Sequence, residues 1–494
     1  MDNGENAVPN VIIFPLPLQS PVNSMLKLAE LLCLAGGVHV TFLITEHNHQ
    51  RLLRSTDAGS RFERYYLGKF SFEVISDGLR EDHPRSAEDY EGIVNSLQGV
   101  AEPHLREMLR SERGRKVTCV IAEAVFGYAF EIGKEVGIPV FAFETVSPCY
   151  LGVYLCIPKL FEEGQLPSKG EDLETLVTGV PGMEGLLKVR DLPHFCRAKD
   201  PWAEESGKLI MAEIHAVPKA HGLILNSFEE LDGPIMAHIR THCPNTYMIG
   251  PVQQHLKTRL AERETTMPPS SNSFWREDKT CIQWLDEQPE ESVIYVSFGS
   301  QNTLTMAELM EVWHGLVASG VRFLWVLRPN TLRAAKEVLD QNLVRELKKG
   351  CLECGRIVSW APQEEVLAHR AIGGFWTHSG WNSTLESILA GKPMICWAQY
   401  VDQLVTRRLV SEVWRIGVDM EDRCDRLSVE KMVKELMMGS RRQELKKSAQ
   451  KFSKLARESV NNGGSSYTSL DHLINDIRKL SSIKHFQNNL SCIG

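Results

Sequence analysis

The stretch that decides the reading runs from Trp360-Ala-Pro-Gln363 through Gly373-Gly-Phe-Trp-Thr377, His378-Ser-Gly380 and Trp381-Asn-Ser383 to Asp402-Gln403. Gly373 to Thr377 reads as a strand, Gly380 lets the chain turn sharply, and a helix begins near Trp381 and ends by Gly391-Lys-Pro393. A helix N-terminus at the carboxyl end of a parallel strand presents backbone N–H groups and a positive dipole end, which suits a pyrophosphate. His378, Asn382 and Ser383 surround that anion in this reading. Glu386 shares a helix face with Asn382 and Ser383, where a carboxylate can accept hydrogen bonds from ribose hydroxyls. Trp360 offers a flat surface for a base.

Outward from this stretch the pattern is strand, helix, strand. Val11 to Phe14 is a short apolar run, Met25, Leu28, Leu31 and Leu32 recur at helical spacing, and Val38, Val40, Phe42 and Ile44 alternate. Apolar runs return at Val117–Ile121, Val140–Phe143 and Leu223–Leu225, so one doubly wound α/β domain fills residues 1–250. From Gln253 to Lys279 the composition turns polar, which reads as an interdomain linker. A second α/β series opens with Val293–Ser297. Thr305-Met-Ala-Glu308 is a capping-box match for a helix ending near Gly320, and Phe323–Val326 is the next strand. Residues from Ser428 to Ile483 alternate charged and apolar side chains at helical spacing.

The chain has 494 residues, enough for two large domains, with 43% hydrophobic and 24% charged residues, the globular average. Its net charge of −8, with no basic block, argues against a nucleic-acid binder. Ala7 to Leu26 holds four prolines and several polar residues, so it reads as neither a signal peptide nor a membrane span. The 12 cysteines are scattered, which fits a reducing, cytoplasmic setting. Cys351-Leu-Glu-Cys354 has no second half at zinc spacing and reads as two thiols near a turn. No Asp-x-Asp pair is present to hold a divalent ion on a nucleotide sugar. The first β-to-α turn, Leu16-Pro-Leu-Gln-Ser20, lacks the G-x-G-x-x-G of a dinucleotide-binding dehydrogenase.

Trp360 to Gln403 resembles the signature box of plant family-1 UDP-glycosyltransferases, matched by Trp360-Ala-Pro-Gln363, Val366-Leu-Ala-His369, Thr377 through Ser383, Glu386, Gly391-Lys-Pro393 and Asp402-Gln403. The resemblance extends to Asn226 through Leu231, Ile249-Gly-Pro251, Trp284 through Gln288 and Ser297-Phe-Gly-Ser300. The N-terminal run is most similar to the branch that includes glucosyltransferases of iridoid acids. It implies a GT-B fold of class α/β, with two Rossmann-like doubly wound domains facing across a cleft. The implied division is an acceptor-binding domain 1–250, a linker 251–285, a UDP-sugar-binding domain 286–460 and a helical segment 461–494 that packs back on the first domain. The implied chemistry is inverting sugar transfer from a UDP-sugar, with UDP-glucose favoured, to a small-molecule acceptor, without metal or other cofactor, by a monomeric cytoplasmic protein. By this resemblance Trp360 stacks on uracil, and Ala361 and Gln363 hold the base and ribose. Ser300, His378, Asn382 and Ser383 contact phosphates, and Glu386 contacts the ribose. Thr145, Trp381, Asp402 and Gln403 read the sugar hydroxyls. Ala398 stands where the family usually has proline.

The acceptor side departs from the family. Members carry Gly-His in the first β-to-α turn, the His being the general base; this chain has Ser20-Pro21. The partner Asp is replaced as well, in Val120-Ile-Ala-Glu123. Ser20 as an N-cap and Pro21 at the first helical position would keep the local fold. A positioned base contributes ~10²–10⁴ in rate, so three readings stand open. The protein is a glucosyltransferase whose acceptor is already acidic or whose base lies elsewhere, with Glu123 the candidate and His39, His47 and His49 further ones. Alternatively it is a nucleotide-sugar-binding protein that has lost transfer, or its acceptor pocket serves another reaction.

Overall fold

The computed structural model describes residues 8–35, 37–85, 89–166, 173–198, 200–263, 271–329, 331–332, 345, 347, 354–421 and 424–491. The chain divides into two compact units: residues 1–155, 199–274 and 458–494 form one, and residues 156–198 and 275–457 the other. The segment 156–198 thus lies outside the first unit, although a contiguous reading counts it among residues 1–250.

The first unit holds a seven-stranded sheet built from β1 (Asn10–Phe14), β2 (His39–Thr45), β3 (Phe70–Ile75), β4 (Cys119–Glu123), β5 (Val140–Glu144), β6 (Gly222–Leu225) and β7 (Thr246–Met248). The order is β3-β2-β1-β4-β5-β6-β7 and every pair is parallel. Val11 to Phe14, Cys119 to Glu123 and Val140 to Glu144 are buried throughout, as strands covered on both faces require. The strand order reverses at β1 and β4, so the carboxyl ends of β1, β4 and β5 share the edge where ligands of such sheets bind.

Two expectations are corrected here. The first helix spans Gln19–Leu34 with Leu18 as N-cap, so Ser20 is not the cap and Pro21 is not the first helical residue. The buried Gln19 side chain explains the early start: its amide donates to the Asn272 carbonyl at 3.0 Å and accepts from the Phe274 N–H at 2.6 Å. Pro21 still falls in the first turn, where its missing N–H removes no intrahelical bond. The presumed linker begins with a helix, Val252–Glu262, seated by Val252, Gln253, His255 and Leu256, all buried.

Asn226 and Gly250 tie the end of β6 to the chain after β7. The Val252 N–H donates to Asn226 Oδ1 at 3.0 Å, and a Cβ on Gly250 would lie 2.5 Å from that atom, so only glycine fits. The helix Ser465–Ser491 belongs to this unit, with Ser466 Oγ on the Gly250 carbonyl at 2.6 Å and Asp476 accepting from Tyr247 at 2.8 Å.

The second unit carries β8 (Val293–Ser297), β9 (Arg322–Val326), β10 (Gly355–Val358), β11 (Ile372–Thr377), β12 (Met394–Cys396) and β13 (Gly417–Asp419) in the parallel order β10-β9-β8-β11-β12-β13. It repeats the reversal of the first sheet, at β8 and β11. Trp325 and Trp376 are fully buried in its core with Ile294, Val312 and Leu316. The helix Met306–Ser319 opens with the expected box, Thr305 Oγ1 accepting from Glu308 N–H at 3.2 Å and Glu308 accepting from Thr305 N–H at 2.8 Å, and stops at Gly320 with φ +67°. Cys351 lies outside the described residues, while Cys354 lies just before β10 and is half-buried. Among the described residues no helix is long and apolar enough to cross a membrane.

Replacing Gln19 by Ala strands the Asn272 carbonyl and the Phe274 N–H in a buried setting, at a cost of roughly 1–3 kcal/mol. The urea midpoint of Gln19→Ala is therefore expected below that of the wild type with an unchanged slope.

Candidate functional site: a nucleotide-binding edge in one unit and an acidic edge in the other

In the second unit the loop after β11 reaches the helix Trp381–Ala390 through Ser379, at φ +66°, and Gly380, the N-cap. Glycine brings no capping side chain; instead the Asp402 carboxyl accepts from the Trp381 and Gln403 backbone N–H groups. Burial outweighs those bonds and pushes the Asp402 carboxyl up to about 7. Val401, just before it, has φ +58° and ψ −125°, a costly conformation for a β-branched residue. Backbone strain therefore sits beside the segment where Ala398 replaces the family's proline.

His378 is held down to about 4, by burial first and then by the Arg328 guanidinium, with the Ser297 backbone opposing. Its Nδ1 is buried without a hydrogen-bond partner. The loop after β8 packs against the ring: a Cβ on Gly299, at φ +73°, would lie 2.5 Å from it. Arg328, itself buried, donates to the Ser300 carbonyl at 2.8 Å and to the Asn302 carbonyl, which fixes the Ser300 loop.

Gln363 bonds to the helix face singled out in the sequence. Its Nε2 donates to Ser383 Oγ at 2.9 Å and to Glu386 Oε2 at 2.6 Å, and its Oε1 accepts from Tyr295 at 3.1 Å. Ala361 is buried beside it. Trp275 stacks on Trp360 with ring centroids 4.6 Å apart, so a base can use only the opposite face. The buried Gln403 exchanges amide bonds with Asn302 at 3.3 and 3.5 Å and accepts from the Gln399 N–H at 3.0 Å. The second unit thus gathers Ser300, Trp360, Ala361, Gln363, His378, Trp381, Asn382, Ser383, Glu386, Asp402 and Gln403.

Thr145 lies in the first unit, with Glu123. Glu123 ends β4 opposite Phe143 of β5, and alternation puts Thr145 on the Glu123 face. The Thr145 hydroxyl accordingly donates to Glu123 Oε1 at 2.9 Å. Glu123 is 5% exposed, and its carboxyl is pushed up to about 8 by burial, with the Thr145 bond opposing and the Glu213 charge adding. Ser20 and Pro21 lie in the first turn of the helix that follows β1, the strand that pairs with β4.

Of the histidines, His39 begins β2 at the opposite edge and is exposed. His47 and His49 lie in the helix Glu46–Ser55. His47 is held down to about 4 by burial, then Arg85 and Arg51, against Asp77. Sequence reasoning missed Arg328, Asn302, Trp275 and Glu144. The signal for Arg328 and Glu144 was a charged residue at the end of an apolar strand run; Trp275 and Asn302 gave none.

Comparison with known proteins matches these features. The family described as "UDP-glucoronosyl and UDP-glucosyl transferase" matches residues 273–459. The chain is 48% identical to a 7-deoxyloganetic acid glucosyltransferase of Catharanthus roseus, over 96% of this chain and 98% of that protein. It is 36% identical to a 7-deoxyloganetin glucosyltransferase of the same plant, over 94% and 96%. Os79 from O. sativa, solved in complex with UDP, superposes with a TM-score of 0.77 at 26% identity, covering 94% of this chain and 100% of that one. With these relatives, the chain is a UDP-sugar-dependent transferase. The chain belongs to the UDP-glucoronosyl and UDP-glucosyl transferase family.

A carboxyl held above its unfolded value of 4.5 keeps a proton in the native state that the unfolded chain has released, so its contribution is lost as pH rises. Between about pH 5 and 8, Glu123→Gln should therefore gain stability relative to the wild type, by on the order of 2 kcal/mol at the upper end. Urea denaturation at the two pH values checks the sign.

Proposed function

We propose that the protein transfers glucose from UDP-glucose, with inversion, to an acidic hydroxyl of a small plant metabolite of iridoid, terpenoid or phenolic type. The acceptor oxygen attacks the anomeric carbon, the bond from that carbon to the UDP oxygen breaks, and UDP leaves with the electron pair. Glu123 takes the acceptor proton. The observation that carries this reading is the Glu123 carboxyl at the ligand edge of the first sheet, oriented by Thr145 at 2.9 Å, where the general base is otherwise missing. The relatives named as iridoid glucosyltransferases support the acceptor class.

On the donor side, Trp360 stacks on uracil with its face away from Trp275, and Ala361 holds the base. Gln363 holds the ribose together with Glu386, the pair it bonds in the structure. Ser300, His378, Asn382 and Ser383 take the phosphates; a neutral His378 donates a hydrogen bond without bringing a full charge. Trp381, Asp402, Gln403 and Thr145 read the sugar hydroxyls. In this scheme helix N–H groups and Arg328 answer the negative charge that grows on UDP, and no metal is called on. The protein acts as a cytoplasmic monomer.

A second reading, a nucleotide-sugar-binding protein without transfer, rests on Pro21, which has no ionisable group where relatives carry the base. UDP release from UDP-glucose separates the two. The transferase should turn over hemiacetal and phenolic acceptors faster than simple alcohols, with kcat/KM rising through about pH 8 as Glu123 deprotonates. Glu123→Gln should lower it by ~10²–10⁴, and His47→Ala should leave it near the wild-type value. UDP-glucose binding without UDP release from any acceptor, in the wild type and in Ser20→Gly/Pro21→His alike, would establish the binding protein instead.

A further inference from the structure

In the second unit the tryptophan that offers a face to the base does not stand alone. Trp275 lies against Trp360 with ring centroids 4.6 Å apart and ring planes at 24°. Both indoles are half-buried and stand outside the apolar core around Trp325 and Trp376, so the pair belongs to the ligand edge rather than to the packing of the sheet. The backbone is fastened as well. The Asp278 N–H donates to the Trp360 carbonyl at 2.9 Å, and Arg356 of β10 donates to Thr280 Oγ1 at 2.7 Å. The chain from Trp275 to Thr280 is thus tied to the strand that leads into Trp360 and to Trp360 itself. A tryptophan in a loop would otherwise sample several side-chain rotamers, and a ligand that needs one of them bears the cost of ordering it.

We propose that Trp275 is a positioning residue for the nucleotide base: it holds the Trp360 indole in one orientation before the ligand arrives, so that uracil stacks on a platform already formed. This rests on the donor-side reading above and adds a residue that acts through Trp360. Two observations carry it. The near-parallel stack covers one face of Trp360 and leaves the other for the base, and the Asp278 bond fixes the backbone from which the indole projects. Stacked aromatic pairs are favourable beyond the area they bury, and a base on the free face extends the stack to three rings. The base takes no part in the exchange of bonds at the sugar. Preorganising its platform therefore favours bound substrate and transition state equally, which lowers KM for UDP-glucose and leaves kcat unchanged. A ligand without a base, such as inorganic pyrophosphate, should be indifferent to Trp275.

Calorimetric titration of the full chain with UDP, UDP-glucose and inorganic pyrophosphate tests this. Trp275→Leu should raise Kd for UDP and UDP-glucose by roughly three- to tenfold and leave Kd for pyrophosphate within about twofold. Trp360→Leu should raise the first two further. The double variant should match Trp360→Leu alone, because Trp275 acts through that ring. Trp275→Phe, which keeps an aromatic face, should recover most of the loss. In turnover, KM for UDP-glucose should rise in Trp275→Leu by the same factor as Kd, with kcat unchanged. An unchanged Kd for UDP in Trp275→Leu would overturn the proposal. Additive losses in the double variant, or an equal loss for pyrophosphate, would do the same. If Trp275→Leu does not fold, Trp275→Met against Trp275→Phe makes the comparison: weaker UDP binding by the Met variant at equal pyrophosphate binding upholds the proposal, and equal UDP binding refutes it. UDP bound no more tightly than pyrophosphate by the wild type, with Trp360→Leu without effect, would remove the donor-side reading and this proposal with it. An effect of Trp360→Leu with none of Trp275→Leu would remove the proposal alone.

Discussion

Parallel pairing is the constraint on which the rest depends. A strand running the same way as its neighbour cannot be joined to it by a tight turn, so each connection crosses back through a helix or long loop, and all carboxyl ends gather on one edge. Both sheets obey this, and both reverse direction once, at β1 and β4 and again at β8 and β11. That reversal separates two sets of crossovers and leaves the edge open to ligand. Every residue with a chemical role here lies in a loop or helix turn leaving such an edge, or at a strand's last residue.

The two edges treat charge in opposite ways. In the second unit a glycine N-cap, a helix N-terminus and the buried Arg328 provide positive potential, and His378 beside them stays neutral because burial and that guanidinium both disfavour a second cation. In the first unit burial, helped by the Glu213 charge, favours the protonated form of the Glu123 and Glu144 carboxyls. The exchange of the family's His and Asp for Pro21 and Glu123 is consistent with this division: it removes a group that could carry positive charge from the acidic edge and moves the remaining carboxyl one methylene further out.

Hydrogen-bond partners refine the roles that resemblance suggests. Gln363 spends its amide on Ser383, Glu386 and Tyr295, so it fixes the orientation of the Glu386 carboxylate. Gln403 is engaged with Asn302 and Gln399, so any sugar hydroxyl it contacts joins an existing network. Asp402 accepts from the first N–H of the helix Trp381–Ala390, whose glycine N-cap brings no side chain. These are contacts between segments distant in sequence, and pattern alone carries no trace of them.

Much of the architecture was legible in local pattern. Apolar runs of three to five residues marked the strands, the Thr305 and Glu308 pair marked a helix start, and the residues from Trp360 to Gln403 marked a strand, turn and helix suited to a nucleotide, because turns, caps and strand cores depend on neighbours a few positions away. The helix start at Gln19, the helix Val252–Glu262 and the placement of 156–198 were not legible, since each is set by a distant partner such as Asn272 or by packing. Sequence showed that the usual base was missing at Pro21 and offered Glu123 in its place. Only the tertiary structure decided that Glu123 is buried against Thr145 and shares its edge with Glu144 and Glu213, because burial and the meeting of like charges are properties of packed strands and helices, not of any stretch of chain.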